Sequence, residues 1–146
     1  MQTNKEKNLI VDLSFAFAVK IIKYCEILEQ NHKYFLARQL LKSGTSIGAN
    51  VREAQNAEST TVFIHKFKIA AKEADETEYW LQLCKSSGYE SCDALLENCE
   101  SIIKVVSKII ASSTEAIIKS PNHQITKLIL CNTEIFTTPC RRMSPS

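Results

Sequence analysis

Apolar residues recur at spacings of three and four through four long stretches of this chain, and that period leaves little choice of fold. In the first stretch Ile10, Leu13, Phe17, Ile21, Tyr24 and Leu28 line one side of a helix expected from about residue 8 to residue 30. A second stripe, Val11, Phe15, Ala18, Ile22 and Cys25, lies on another face of the same helix. A helix of a small bundle needs one apolar side, so a second one calls for deeper burial or another subunit. Self-association is the economical reading.

The other three stretches follow the same rule. After QNHK a second helix starts near Tyr34 and carries Leu36, Ala37, Leu40 and Leu41 into SGTSIGAN, where Gly44 and Gly48 predict a kink or break before the helix resumes through VREAQNA. Ser59, Thr60 and Thr61 offer capping hydroxyls to a third helix, with Phe63, Phe67, Ala70, Ala74, Thr77, Leu81 and Cys84 in register until SSG ends it at Gly88. A fourth, from about Ser91 to Lys119, has one stripe through Leu95, Cys99, Ile102, Val106 and Ile109 and another through Leu96, Ile103, Ile110 and Ile117. Four long helices on short turns predict an all-α, antiparallel, up-down-up-down four-helix bundle over residues 1–120. Residues 121–146 form a tail with one apolar island, ITKLIL, which either docks on the bundle or stays loose.

Composition agrees with helix. Glycine and proline number three each, 45% of residues are hydrophobic, and nowhere do β-branched and polar residues alternate over a strand length. Asp12 and Lys20 interrupt the N-terminal apolar run, no small-residue cleavage site follows, and neither a secretory signal nor a bilayer span is expected. Six cysteines without a C-x-x-C pair or an export signal read as reduced thiols of a cytoplasmic protein. Cys25, Cys84 and Cys99 fall on apolar stripes as small buried hydrophobes, while Arg141 and Arg142 beside Cys140 are a redox hint in the tail.

The glycines of SGTSIGAN are not a phosphate loop. That loop needs G-x-x-x-x-G-K-[ST] after a buried strand, whereas here the glycines are four apart, Ala49 follows Gly48, and the segment before them is helical. Residues four apart share a helix face, so the missing side chains admit a close neighbour. Asn50, on the same mostly apolar segment, then has a structural role that needs hydrogen-bond partners.

LARQLLKSGTSIGANVREAQNAEST followed by FIHKFKIAAKEADETEYWLQL resembles the signature of the four helix bundle protein family, also called 23S rRNA-intervening-sequence proteins after the genomic place where some are encoded. The resemblance runs from Asn8 to about Ala111 and leaves the tail beyond Pro121 uncovered. It implies a bacterial bundle assembled into a barrel-like homopentamer, a ring of identical copies, without a known enzyme activity. More distantly the chain is similar to accessory proteins of diversity-generating retroelements, bundles with basic surfaces that bind a reverse transcriptase and nucleic acid. Retroelement function is an analogy only.

Net charge is +2, too little to define a nucleic-acid binder, but its distribution is uneven. Residues 33–72 hold seven Lys or Arg against two acids, and residues 73–100 hold one Lys against eight. In an antiparallel bundle Arg52, Lys66, Lys68, Lys72, Lys104, Lys108 and Lys119 gather at one end and the acids from Glu73 to Glu100 at the other. Matching to helix dipoles does not explain this, because the third helix carries lysines early and acids late. A solvated surface that happens to be uneven accounts for the same runs. Repeated around a ring, however, Arg52, Lys66, Lys68, Lys72, Lys104 and Lys108 would meet an RNA or DNA backbone many times over, without sequence preference.

The enzyme readings are poor. Glu29 and His32 make one Glu-x-x-His half-site at a helix end, and neither His65 nor His123 has a glutamate three residues before it, so no metal or other cofactor is expected. The acids of EADETE lack a histidine or nucleophile beside them. Tyr79 and Trp80 read as an aromatic anchor for a subunit contact, in preference to a base-stacking surface. The expected function is a non-enzymatic oligomeric scaffold that contacts nucleic acid, the alternative a protein-protein adaptor that does not, with no role at a membrane in either case.

Overall fold

A computed structural model describes residues 8–119; the tail, with its apolar island and Cys131 and Cys140, lies outside the described residues. Four helices follow one another: α1 (Leu9–Gln30), α2 (Tyr34–Ala54), α3 (Thr60–Ser86) and α4 (Asp93–Lys119). One compact unit extends to Ser113 and a second begins at Thr114; in the second, Lys119 pairs with Glu115 one turn earlier at 4.0 Å.

The helix ends have local causes. Ser59 caps α3 by accepting a hydrogen bond from the Val62 amide at 3.2 Å. Both α1 and α3 stop in a left-handed residue that lets two amides turn back onto the last carbonyls. After α1, His32 (φ 60°) and Lys33 donate to Glu29 and Leu28; after α3, Gly88 (φ 81°) and Tyr89 donate to Lys85 and Cys84.

α2 has no break at its glycines; it is helical from Tyr34 to Ala54. The expected kink is absent because tertiary contact offsets the glycine penalty. A Cβ on Gly44 would stand 2.9 Å from Ile21 Cγ2, and one on Gly48 would stand 3.4 Å from the Ser14 carbonyl oxygen, so α1 lies against bare α2 backbone. The hydroxyls of Ser43, Thr45 and Ser46 donate to carbonyls of their own helix, as does the Asn50 amide to Ser46 at 2.9 Å. Their donors are therefore spent within the helix.

The core is shared by all four helices: Phe17, Ile21 and Leu28 of α1, Leu40, Ile47 and Val51 of α2, Phe67, Ala74 and Leu81 of α3, and Leu95, Cys99, Ile102 and Val106 of α4. Contacts run in opposite order along each neighbouring pair. Asn8 meets Gln55 and Cys25 meets the Ala37 carbonyl; Glu53 pairs with Lys66 while Phe35 meets Trp80. Lys85 pairs with Asp93 at 2.6 Å and the Cys99 thiol donates to the Ala74 carbonyl at 3.4 Å. Between α1 and α4, Lys20 meets Asn98 and Tyr24 meets Cys92.

The two double-striped helices differ. Leu96, Ile103 and Ile110 of α4 are half-buried against the chain's own core, so that stripe is largely covered from within. On α1 the second stripe is covered only in part: Cys25 is buried in the core and Val11 and Ala18 are half-buried, whereas Phe15 and Ile22 remain exposed, together with Leu9 and Val19 from outside that stripe.

Candidate functional site

The six basic residues singled out in the sequence occupy three surroundings. Arg52, near the end of α2, holds its guanidinium 5.8 Å from the ring centre of Phe15 on α1, a cation–π contact. Lys66 forms an ion pair with Glu53 across α2 and α3. Lys104 pairs with Glu100 on its own helix at 3.6 Å. Lys68, Lys72 and Lys108 are exposed and make no ion pair with any described residue. Since Ala74 and Cys99 touch, counting back along α3 and forward along α4 sets Lys68 level with Val105, one residue past Lys104, and His65 level with Lys108. Arg52 belongs to the α1–α2 side.

That side holds a feature not read from the sequence. A groove of about 180 Å³ runs between α1 and α2, lined by Val11, Phe15, Ala18, Gly48, Ala49 and Arg52 among others. It exists because Gly48 and Ala49 present almost no side chain where Val11 and Phe15 come alongside. Phe15 is 60% exposed, and Val19 and Ile22 prolong the apolar surface along α1. Of the second stripe of α1, Phe15 and Ile22 are exposed while Cys25 joins the core; the groove required knowing which face of α2 lies beside it.

A second aromatic surface crosses α2 and α3. Phe35 (64% exposed) meets Trp80 edge-on with ring centres 5.9 Å apart, and Tyr79 (55% exposed) meets the same ring at 5.2 Å. The Trp80 indole donates to Glu76 at 3.3 Å, which gives one acid of EADETE a structural partner. Tyr79 and Trp80 were expected to act together; Phe35, 44 positions away in sequence, joins them only through packing.

The thiols are poorly suited to nucleophilic chemistry. Cys25, Cys84, Cys92 and Cys99 are free and buried. Burial, reinforced by nearby carboxylates, pushes Cys25 and Cys99 up to about 12, and burial raises Cys84 as well, so each stays a neutral thiol near neutral pH. Cys92, unassigned in the sequence, shares a hydrogen bond of 2.9 Å with the Tyr24 hydroxyl. His32 of the Glu29/His32 half-site lies in the turn after α1, with Nδ1 2.9 Å from the Tyr34 hydroxyl. Among the described residues no group of three or more His, Cys, Asp or Glu stands ready to hold a metal, and no helix is long and apolar enough to cross a membrane.

Fold and surface define an all-α helical-bundle protein with exposed apolar and aromatic faces. The family described as 23S rRNA-intervening sequence protein matches residues 6–112, and the chain belongs to that family. A solved structure from Bacteroides thetaiotaomicron, described as a protein with unknown function from the S23 ribosomal protein family, is 40% identical. The match covers 70% of this chain and 98% of that one, with a TM-score of 0.68. No curated protein matches the chain.

Proposed function

We propose that this chain is an antiparallel up-down-up-down bundle whose copies assemble into a ring, a homopentamer, serving in the cytoplasm as a non-enzymatic scaffold. The observation that carries this reading is the uncovered apolar face of α1, with Phe15 over the groove and Val19 and Ile22 beyond it. A contiguous face of that kind on one copy is what a neighbouring copy would cover. The opposite order of contacts along neighbouring helices supports the antiparallel arrangement.

In such a ring Lys68, Lys72 and Lys108, free of ion pairs among the described residues, contact RNA or DNA backbone, repeated once per subunit. Lys66, Lys104 and Arg52 add charge from beside their present partners. The family description mentions a 23S rRNA intervening sequence and names no partner.

The second reading, an adaptor that binds protein and no nucleic acid, is favoured by the engagement of Lys66, Lys104 and Arg52 within the chain. A gel-shift titration with a mixed-sequence RNA and a duplex DNA at low salt separates the two. The scaffold reading expects a shift that weakens steeply with added salt and is lost in a Lys68→Glu, Lys72→Glu, Lys108→Glu chain. No shift, or one indifferent to salt, leaves the adaptor.

A further inference from the structure

A second cavity, about 620 Å³, opens where the α1–α2 turn and the α3–α4 turn come together. It lies within the size range of small-molecule sites. Ile27 of α1 forms its open apolar side above the nearly buried Tyr24 and Leu28, and Lys33, Tyr89 and Glu90 line the rest. The Tyr24 ring is fixed beneath it, because that residue is buried and its hydroxyl is hydrogen-bonded to Cys92.

Two opposite charges border this cavity without neutralising each other. The Lys33 ammonium stands 5.7 Å from the centre of the Tyr89 ring and enters none of the four ion pairs among the described residues; the Glu90 carboxylate enters none either. Lys33 also occupies the N-cap position of α2, which has no side-chain cap, so the first amides of that helix add positive potential beside the ammonium.

The turn that carries Glu90 is held in an unfavourable conformation. Ser91 has φ 68°, a left-handed backbone that a serine adopts at a cost, and α3 has already been terminated by Gly88. A glycine would satisfy the backbone at this position more cheaply. The serine turn sets Glu90 at the rim and Cys92 beneath Tyr24.

We propose that this cavity binds a small zwitterion with an apolar or aromatic side chain, an α-amino acid, its carboxylate on Lys33, its ammonium on Glu90 and its side chain against Ile27 and the Tyr89 ring. A ligand with both charges satisfies both groups, whereas a simple anion would meet the repulsion of Glu90 and a simple cation that of Lys33.

The test is calorimetric titration of the full chain with L-phenylalanine and L-leucine, alongside N-acetyl-L-phenylalanine, which lacks the ammonium, and L-phenylalaninamide, which lacks the carboxylate. Saturable binding of a free amino acid is expected, weakened about tenfold or more by either cap and by each of Lys33→Gln and Glu90→Gln. Both substitutions are at exposed positions, and circular dichroism checks that the helices persist. No saturation by either amino acid up to about 10 mM overturns the proposal. So does binding that ignores both caps or both variants, and so does binding that depends on only one of the two charges.

Discussion

Cys99 illustrates how a single side chain records its surroundings. Its thiol is buried between α3 and α4, donates to the Ala74 carbonyl, and is held protonated first by burial and then by the carboxylates of Glu78, Asp75 and Glu100, which lift it from 9.0 to about 12. A thiol with a raised folded-state value stabilises the fold fully below its unfolded value and loses that contribution as pH climbs toward the folded one. The stability advantage of the parent over Cys99→Ala, from urea midpoints, is therefore expected to be level below pH 9 and to shrink between 9 and 12. An advantage that stays constant across that interval would show the thiol to be solvated. Three of the four described cysteines were legible as core residues because each falls on a helical stripe. Cys92 was not, since it follows a turn, where no period applies, and only its contact with Tyr24 explains its burial.

Among the elements, α2 departs furthest from expectation. Intrinsic propensity argues that two interior glycines weaken a helix by about 1 kcal/mol each. Against that stands the approach of α1, and the two glycines differ in how much they need it. At Gly44 a methyl group would strike Ile21, a β-branched side chain with no room to turn; overpacking of this kind costs about 1–3 kcal/mol. At Gly48 the nearest atom is at ordinary contact distance, so a methyl group there keeps the helical gain. Gly44→Ala is expected to lower the urea midpoint, and Gly48→Ala to leave it unchanged or raise it by up to about 1 kcal/mol in stability. Equal shifts of the same sign at both sites would refute the distinction. The sequence placed both glycines on one helix face, but which one faces a side chain and which a carbonyl depends on the rotation and register of α1. Likewise the double stripe of α4 was visible while its fate was not: Leu96, Ile103 and Ile110 turn partly toward the chain's own core.

At the scale of the whole molecule most of the surplus apolar surface of the two helices, among the described residues, therefore rests on α1, with Ile118 of α4 also exposed. Covering one phenylalanine side chain contributes about 1.5–3 kcal/mol, and in a ring the gain recurs at each contact. Phe15→Glu is expected to turn an assembled species into single chains by light scattering, with far-ultraviolet circular dichroism unchanged because Phe15 lies outside the core. A parent that is already a single chain at micromolar concentration, or a variant that assembles as before, would remove the basis for the ring. By itself the sequence determined the number of helices, their approximate ends and the residues of the core, since those follow from a period of three to four and from capping chemistry local to each turn. Only the tertiary structure decided that α2 is unbroken, that Arg52 lies over Phe15, and that Lys66 is already paired with Glu53. Each of these depends on how one helix is turned and slid against another, and that relation joins residues far apart along the chain.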